Sequence, residues 1–174
     1  VLVLIPTADA TLGRAALWYL CRDEGELRVY RVASDVEGFF DSGGRPAAQW
    51  ITEHGFQFVE GIDVDGAVVR LERAANGELV LRKPAHRQSE FQVAYVRNPI
   101  GSGLHRSETV VRATRDGEVL ARYTNISYRG GWAERLLARF TDAGEAYGGA
   151  CSDYKGRIRS ADIVSRALTA VRLK

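Results

Sequence analysis

The 174 residues are enough for one domain of ordinary size that buries its own core without a metal or a disulfide framework. With 45% apolar and 26% charged residues and a net charge of only +2, the composition is that of an ordinary globular chain. It excludes a strong global field for nucleic acid or anionic lipid, and no apolar run approaches the roughly 20 residues that a membrane-spanning helix needs.

The opening run Val1–Ile5 reads as a short strand closed by Pro6. Asp9 or Thr11 then caps a helix in which Leu12, Ala15, Ala16, Tyr19 and Leu20 share one face, with Leu17 and Trp18 widening it. Gly25 supplies the stop, and the alternation of Leu27, Val29 and Arg31 with Arg28, Tyr30 and Val32 is a strand pattern. Asp35 to Pro46 reads as loop, with Phe39 and Phe40 either packed on the core or forming an exposed patch. Ala47 to His54 is a short helix around Trp50 and Ile51.

From Phe56 to Tyr128 the pattern is strand and turn. Asp65–Gly66, Asn76–Gly77 and Asp116–Gly117 are dipeptides suited to positive φ in tight hairpins. They pair Phe56–Ile62 with Ala67–Arg73, that strand with Glu78–Lys83, and Glu108–Thr114 with Glu118–Tyr128; Phe91–Arg97 is a further strand. Trp132 to Phe140 reads as a short helix, Asp142 to Arg159 as irregular. Ser160 caps a closing helix from Ala161 to Leu173. The expected fold is α+β, a single domain over residues 1–174. It has an antiparallel meander of about six strands packed on the N-terminal helix, with short C-terminal helices, and is similar in outline to helix-gripping folds of the cystatin kind.

The two cysteines, Cys21 in the last turn of the first helix and Cys151 near the other end, are expected to form a disulfide, and with it an oxidising compartment. His54, His86 and His105 lie far apart with no ligand spacing, so neither a metal nor another cofactor is expected. Ser107, His105 and Asp116 do not have the geometry of a triad, and no nucleophile elbow is present. Asp63 and Asp65, like Glu24 and Glu26, read as turn-forming, solvating charge. Gly101 to Arg106 carries two glycines of a dinucleotide fingerprint but precedes a strand, which makes it a loop. Arg97 and Arg106 beside it are the groups that would serve an anion there. The candidate binding surface is Arg97, Arg106, Arg112, Arg122, Tyr128, Phe39 and Phe40, with Arg82, Lys83, His86 and Arg87 crowding one strand end and Tyr147 and Tyr154 as further aromatics. Glu108 and Glu118 are interleaved with the arginines, a sign of cross-strand pairing.

Two stretches, LWYLCRDEGELRVYRV and GEVLARYTNISYRGGW, resemble short uncharacterised exported proteins of proteobacteria. The resemblance covers about a fifth of the chain, and it implies the periplasm or cell envelope, the alternative being the cytoplasm. The expected function is a non-enzymatic envelope domain in protein–protein interaction, self-association or an assembly. The alternatives are a small-ligand-binding protein or enzyme with a pocket between helix and sheet, lined by Trp18 and Tyr19, and, third, arginine-based nucleic-acid binding.

Overall fold

The computed structural model describes residues 4–101, 103–131, 136, 148–156 and 158–171. The elements are α1 (Leu4–Asp23), β1 (Leu27–Val29), β2 (Ala33–Val36), β3 (Gly38–Asp41), α2 (Gln49–Thr52), β4 (Phe58–Ile62), β5 (Val68–Arg73) and β6 (Leu79–Arg82). They continue with β7 (Phe91–Gly101), β8 (Leu104–Ala113), β9 (Val119–Tyr128), β10 (Gly149–Ala150), α3 (Cys151–Lys155), α4 (Ser160–Ala167) and β11 (Leu168–Ala170). The fold is α+β, and its nine-stranded sheet runs β1-β9-β8-β7-β3-β4-β5-β6, with β10 also on β9. A separate parallel pair joins β11 to β2.

The sheet corrects the expected six-strand antiparallel meander. The hairpins β4–β5 and β5–β6 are antiparallel as read from the sequence, and Gly66, Gly77 and Gly117 all take positive φ at their turns. What the pattern hid is β3. Gly38–Asp41 lies parallel to both β4 and β7, enclosed on both edges, so its Phe39–Phe40 pair shows no alternation and looks like loop. Leu4 and Ile5 open α1 instead of ending a strand, with Pro6 in the first turn where its missing N–H costs nothing. At the other end Leu168 leaves the helix and starts β11, and the Arg159 N–H, not Ser160, takes the capping bond, donating to Asp162 at 2.9 Å. The helix expected over Trp132–Phe140 lies, Leu136 apart, outside the described residues, as does Tyr147.

The chain forms two compact units interleaved in sequence, residues 1–27, 96–108 and 123–158 in one, and 28–95, 109–122 and 159–174 in the other. In the first, α1 buries Leu17 and Cys21 against Ile126 and Tyr128 of β9 and against Cys151, with Leu20 and Leu104 at the margin. The seam therefore runs Gly13–Leu17–Cys21, one step round the helix from the expected face. It is set by the absence of a side chain at Gly13, where a Cβ would run into the Tyr128 ring. Leu12, Trp18 and Tyr19 are left outside. The Cys21–Cys151 disulfide spans 130 residues. Gly25 turns the chain with φ +86° directly beneath it, where a Cβ would sit 2.9 Å from that of Cys151. Lys155 Nζ closes the end of α1 through the Arg22 carbonyl at 3.0 Å and Glu26 at 3.1 Å.

In the second unit Phe39, Trp50 and Phe56 form an edge-on aromatic cluster with centroids 5.0 to 6.5 Å apart, α2 existing to deliver Trp50 and Ile51. Val59, Val69, Val93, Val111 and Leu120 are buried on its strands, and Ile163, Val164 and Ala167 form the buried face of α4.

Titration of the denatured, non-reduced protein should find no free thiol. The Cys21→Ser/Cys151→Ser variant should unfold at lower urea concentration, by up to about 5 kcal/mol on the loop-closure estimate. An unchanged midpoint would show that the bridge does not hold the first unit together.

Candidate functional site

One face of the second unit carries a polar row across the sheet. Register places Arg82 beside Arg70, Arg70 beside Glu60, Glu60 beside Phe40 and Phe40 beside Gln92. Arg112 on β8 extends the row by donating to Gln92 Oε1 from Nη2 at 3.1 Å and from Nε at 3.3 Å. Alternation along β4 sends Val59 to the opposite face and leaves Glu60 here, fully buried.

Glu60 is buried because the segment after β6 folds down on it. Its carboxylate accepts the N–H of Gln88 at 3.1 Å, the N–H of Ser89 at 2.9 Å and the Ser89 hydroxyl. Arg70 donates from Nη2 at 2.9 Å and Nε at 3.2 Å while its guanidinium lies 3.9 Å from the centre of the Phe58 ring. Burial alone would raise the Glu60 carboxyl; the bonds from Ser89, Arg70 and Gln88 together outweigh it and hold the group below the usual glutamate range. The segment is also tied to β8, where the Thr114 hydroxyl donates to the Ser89 carbonyl at 2.8 Å and its N–H to that of Glu90 at 2.7 Å.

Fixing Gln88 and Ser89 fixes Arg87. Its guanidinium lies 4.2 Å from the centre of the Phe40 ring, and Nη1 donates to Gln92 Oε1 at 3.3 Å. Nε and Nη2 are buried and have no hydrogen-bond partner among the described residues. Burial, and then the nearby Arg112, lower its affinity for its proton, while the charge of Glu60 raises it. Chemically the row ends in two guanidiniums converging on one neutral oxygen.

No protein family, curated protein or solved structure matches this chain.

The residues expected on a binding surface are dispersed. Phe39 and Phe40 are buried, Phe39 in the aromatic cluster and Phe40 under Arg87, and Tyr128 is buried against α1; none contributes exposed surface. Arg106 is paired with Glu24, just past α1, at 3.2 Å, and its Nε stands 3.0 Å from Glu108, two residues along the same strand, without the alignment of a hydrogen bond; neither is the expected cross-strand pair. Arg97 and Arg122 are exposed, and Arg97 stands with Arg129 near His105. Of the set, Phe40 and Arg112 lie in the polar row. The sequence groups Arg87 with a strand end and gives no sign of Glu60 or Gln92, because the pairing through β3 that joins them has no local sequence signal.

Two grooves flank Glu90 and Phe91 in the same unit. One, of about 470 Å³, is lined by Arg31, Arg115, Asp116 and Glu118, with Arg31 and Glu118 paired at 2.7 Å. The other, of about 420 Å³, has Asp35, Glu37 and Glu90 in its lining and no basic residue. Among the described residues no group of three or more metal-ligating side chains converges.

Glu60→Gln should destabilise the fold by about 3 kcal/mol, the cost of breaking a buried ion pair from one side. The folded carboxyl takes its proton less readily than the unfolded one. Its contribution is therefore complete above the ordinary glutamate range and is lost as pH falls through the lowered folded value. Urea midpoints measured between neutral pH and pH 3 should fall more steeply for the wild type than for the variant; parallel curves would contradict this.

Proposed function

We propose that this chain is a non-enzymatic domain of the cell envelope that works by association, its partner being a second copy of itself. The observation that carries the reading is the outward side of α1, where Leu12 is 69%, Tyr19 63% and Trp18 55% exposed. Ala8, Leu12, Ala15 and Tyr19 are all exposed and recur at intervals of four, three and four, the spacing with which one helix seats on another. The stripe is self-complementary. An antiparallel pair of α1 helices with Ala15 facing Ala16 of the partner sets Leu12 opposite Tyr19, and by two-fold symmetry does so twice, with small alanines at the crossing. Arg22, over the Trp18 ring at 5.8 Å, rims the stripe. The buried disulfide supports an oxidising compartment, in keeping with the resemblance to exported proteins. No helix of the described residues is long and apolar enough to cross a membrane.

Sedimentation velocity over a concentration series tests the reading. The wild type should pass from monomer to dimer. Leu12→Asp/Tyr19→Asp, whose sites are exposed and whose circular dichroism should be unchanged, should remain monomeric. A wild type still monomeric at its highest soluble concentration, or a dimer that survives the double substitution, would sink it.

A further inference from the structure

We propose that Arg87 and Arg112 form a carboxylate-binding site, the ligand taking the place of the Gln92 side-chain oxygen between them. The inference stands apart from association through α1, since it concerns other residues in the other unit.

The argument is one of donors and acceptors. Gln92 Oε1 alone serves Arg87 Nη1 and both Nε and Nη2 of Arg112, at 3.1 to 3.3 Å, long for bonds to a charged donor. Arg87 Nη2, beside Nη1 on the outer edge of the guanidinium, has no hydrogen-bond partner among the described residues, so a carboxylate in the place of Gln92 Oε1 can take Nη1 and Nη2 together in two parallel bonds. A donor buried without a partner is costly to the fold, and a ligand that satisfies it gains what the fold lacks. Among the described residues neither guanidinium is ion-paired to a carboxylate. Glu60, whose charge acts on Arg87, has both oxygens occupied by Arg70, Gln88 and Ser89. A ligand carboxylate brings two oxygens with about four acceptor positions and one negative charge, where Gln92 brings one neutral oxygen.

The site is also built in advance. The ring of Phe40 fixes the plane of Arg87, and Glu60 fixes the backbone that carries it, so little ordering remains for binding to oppose. Arg112 is exposed and Gln92 half-buried, which gives the ligand an approach from the Arg112 side once the amide turns away. A planar carboxylate has the outline of the amide group it displaces, which a tetrahedral oxyanion lacks. It is supplied either by a free small acid or by an acidic side chain of a peptide.

The test is a titration of the full chain, labelled with nitrogen-15, with sodium acetate at constant ionic strength, following the arginine Nε–H resonances. Saturable shifts are expected at Arg87 and Arg112. Arg87→Lys and Arg112→Lys, which keep the charge and lose the fork, should each bind roughly tenfold more weakly. Gln92→Ala, which removes the competing oxygen, should bind several-fold more tightly, an effect that a merely structural role for the arginines would not produce. A blocked Gly-Glu-Gly peptide binding more tightly than acetate assigns the carboxylate to a side chain, and equal binding assigns it to a free acid. Shifts that never saturate, shifts unaltered in Arg112→Lys, whose exposed site leaves folding intact, or tighter binding of phosphate than of acetate would overturn the proposal.

Discussion

The charge of Glu60 inside the sheet is the constraint from which the rest of the second unit's polar face follows. A carboxylate with no solvent must be matched group by group, and the chain does this with a guanidinium, a hydroxyl and two successive backbone N–H groups. The two backbone donors are the important ones. They belong to a segment without regular structure, which would otherwise have no reason to lie on β4, and they convert it into a fixed cover. Arg87 is held over Phe40 as a by-product of that anchoring. The arrangement contains a contrast: one carboxylate with every acceptor position used, and next to it guanidinium donors with too few acceptors.

Local grammar made the hairpins legible. The turns at Asp65–Gly66, Asn76–Gly77 and Asp116–Gly117 impose their own backbone, and strands flanking them pair because nothing else is within reach. β3 had no such signal, since its partners are set by a parallel register with strands 20 and some 50 residues away, a long-range pairing that local pattern does not encode. The polar row depended on that register and was illegible for the same reason. Residues such as Arg112 and Arg87 could be named as basic, but not as neighbours.

On α1 the period was legible and the phase was not. Apolar residues surround much of the helix, so hydrophobicity alone did not say which of them turn inward. The phase is set by a small residue and a covalent bond: Gly13 lets Tyr128 approach the helix backbone, and Cys21 must meet Cys151. With the seam fixed there, Leu12, Trp18 and Tyr19 have no choice but the outer side.

The same bridge has a mechanical meaning. It makes residues 21 to 151 a covalent ring, with β1 through β10 all inside it. A tension applied to the two ends of the chain can pull out only the tails, because the ring's 130 residues, on the order of 450 Å of contour, are shielded from the load by the sulfur–sulfur bond. The turns of α1 before Cys21, and α4 and β11 beyond Cys151, carry no such shield, so under load they would come away while the nine-stranded sheet stayed paired. Damage under load is thereby confined to the two flanks of the ring, and their reattachment needs no re-formation of the nine-stranded sheet.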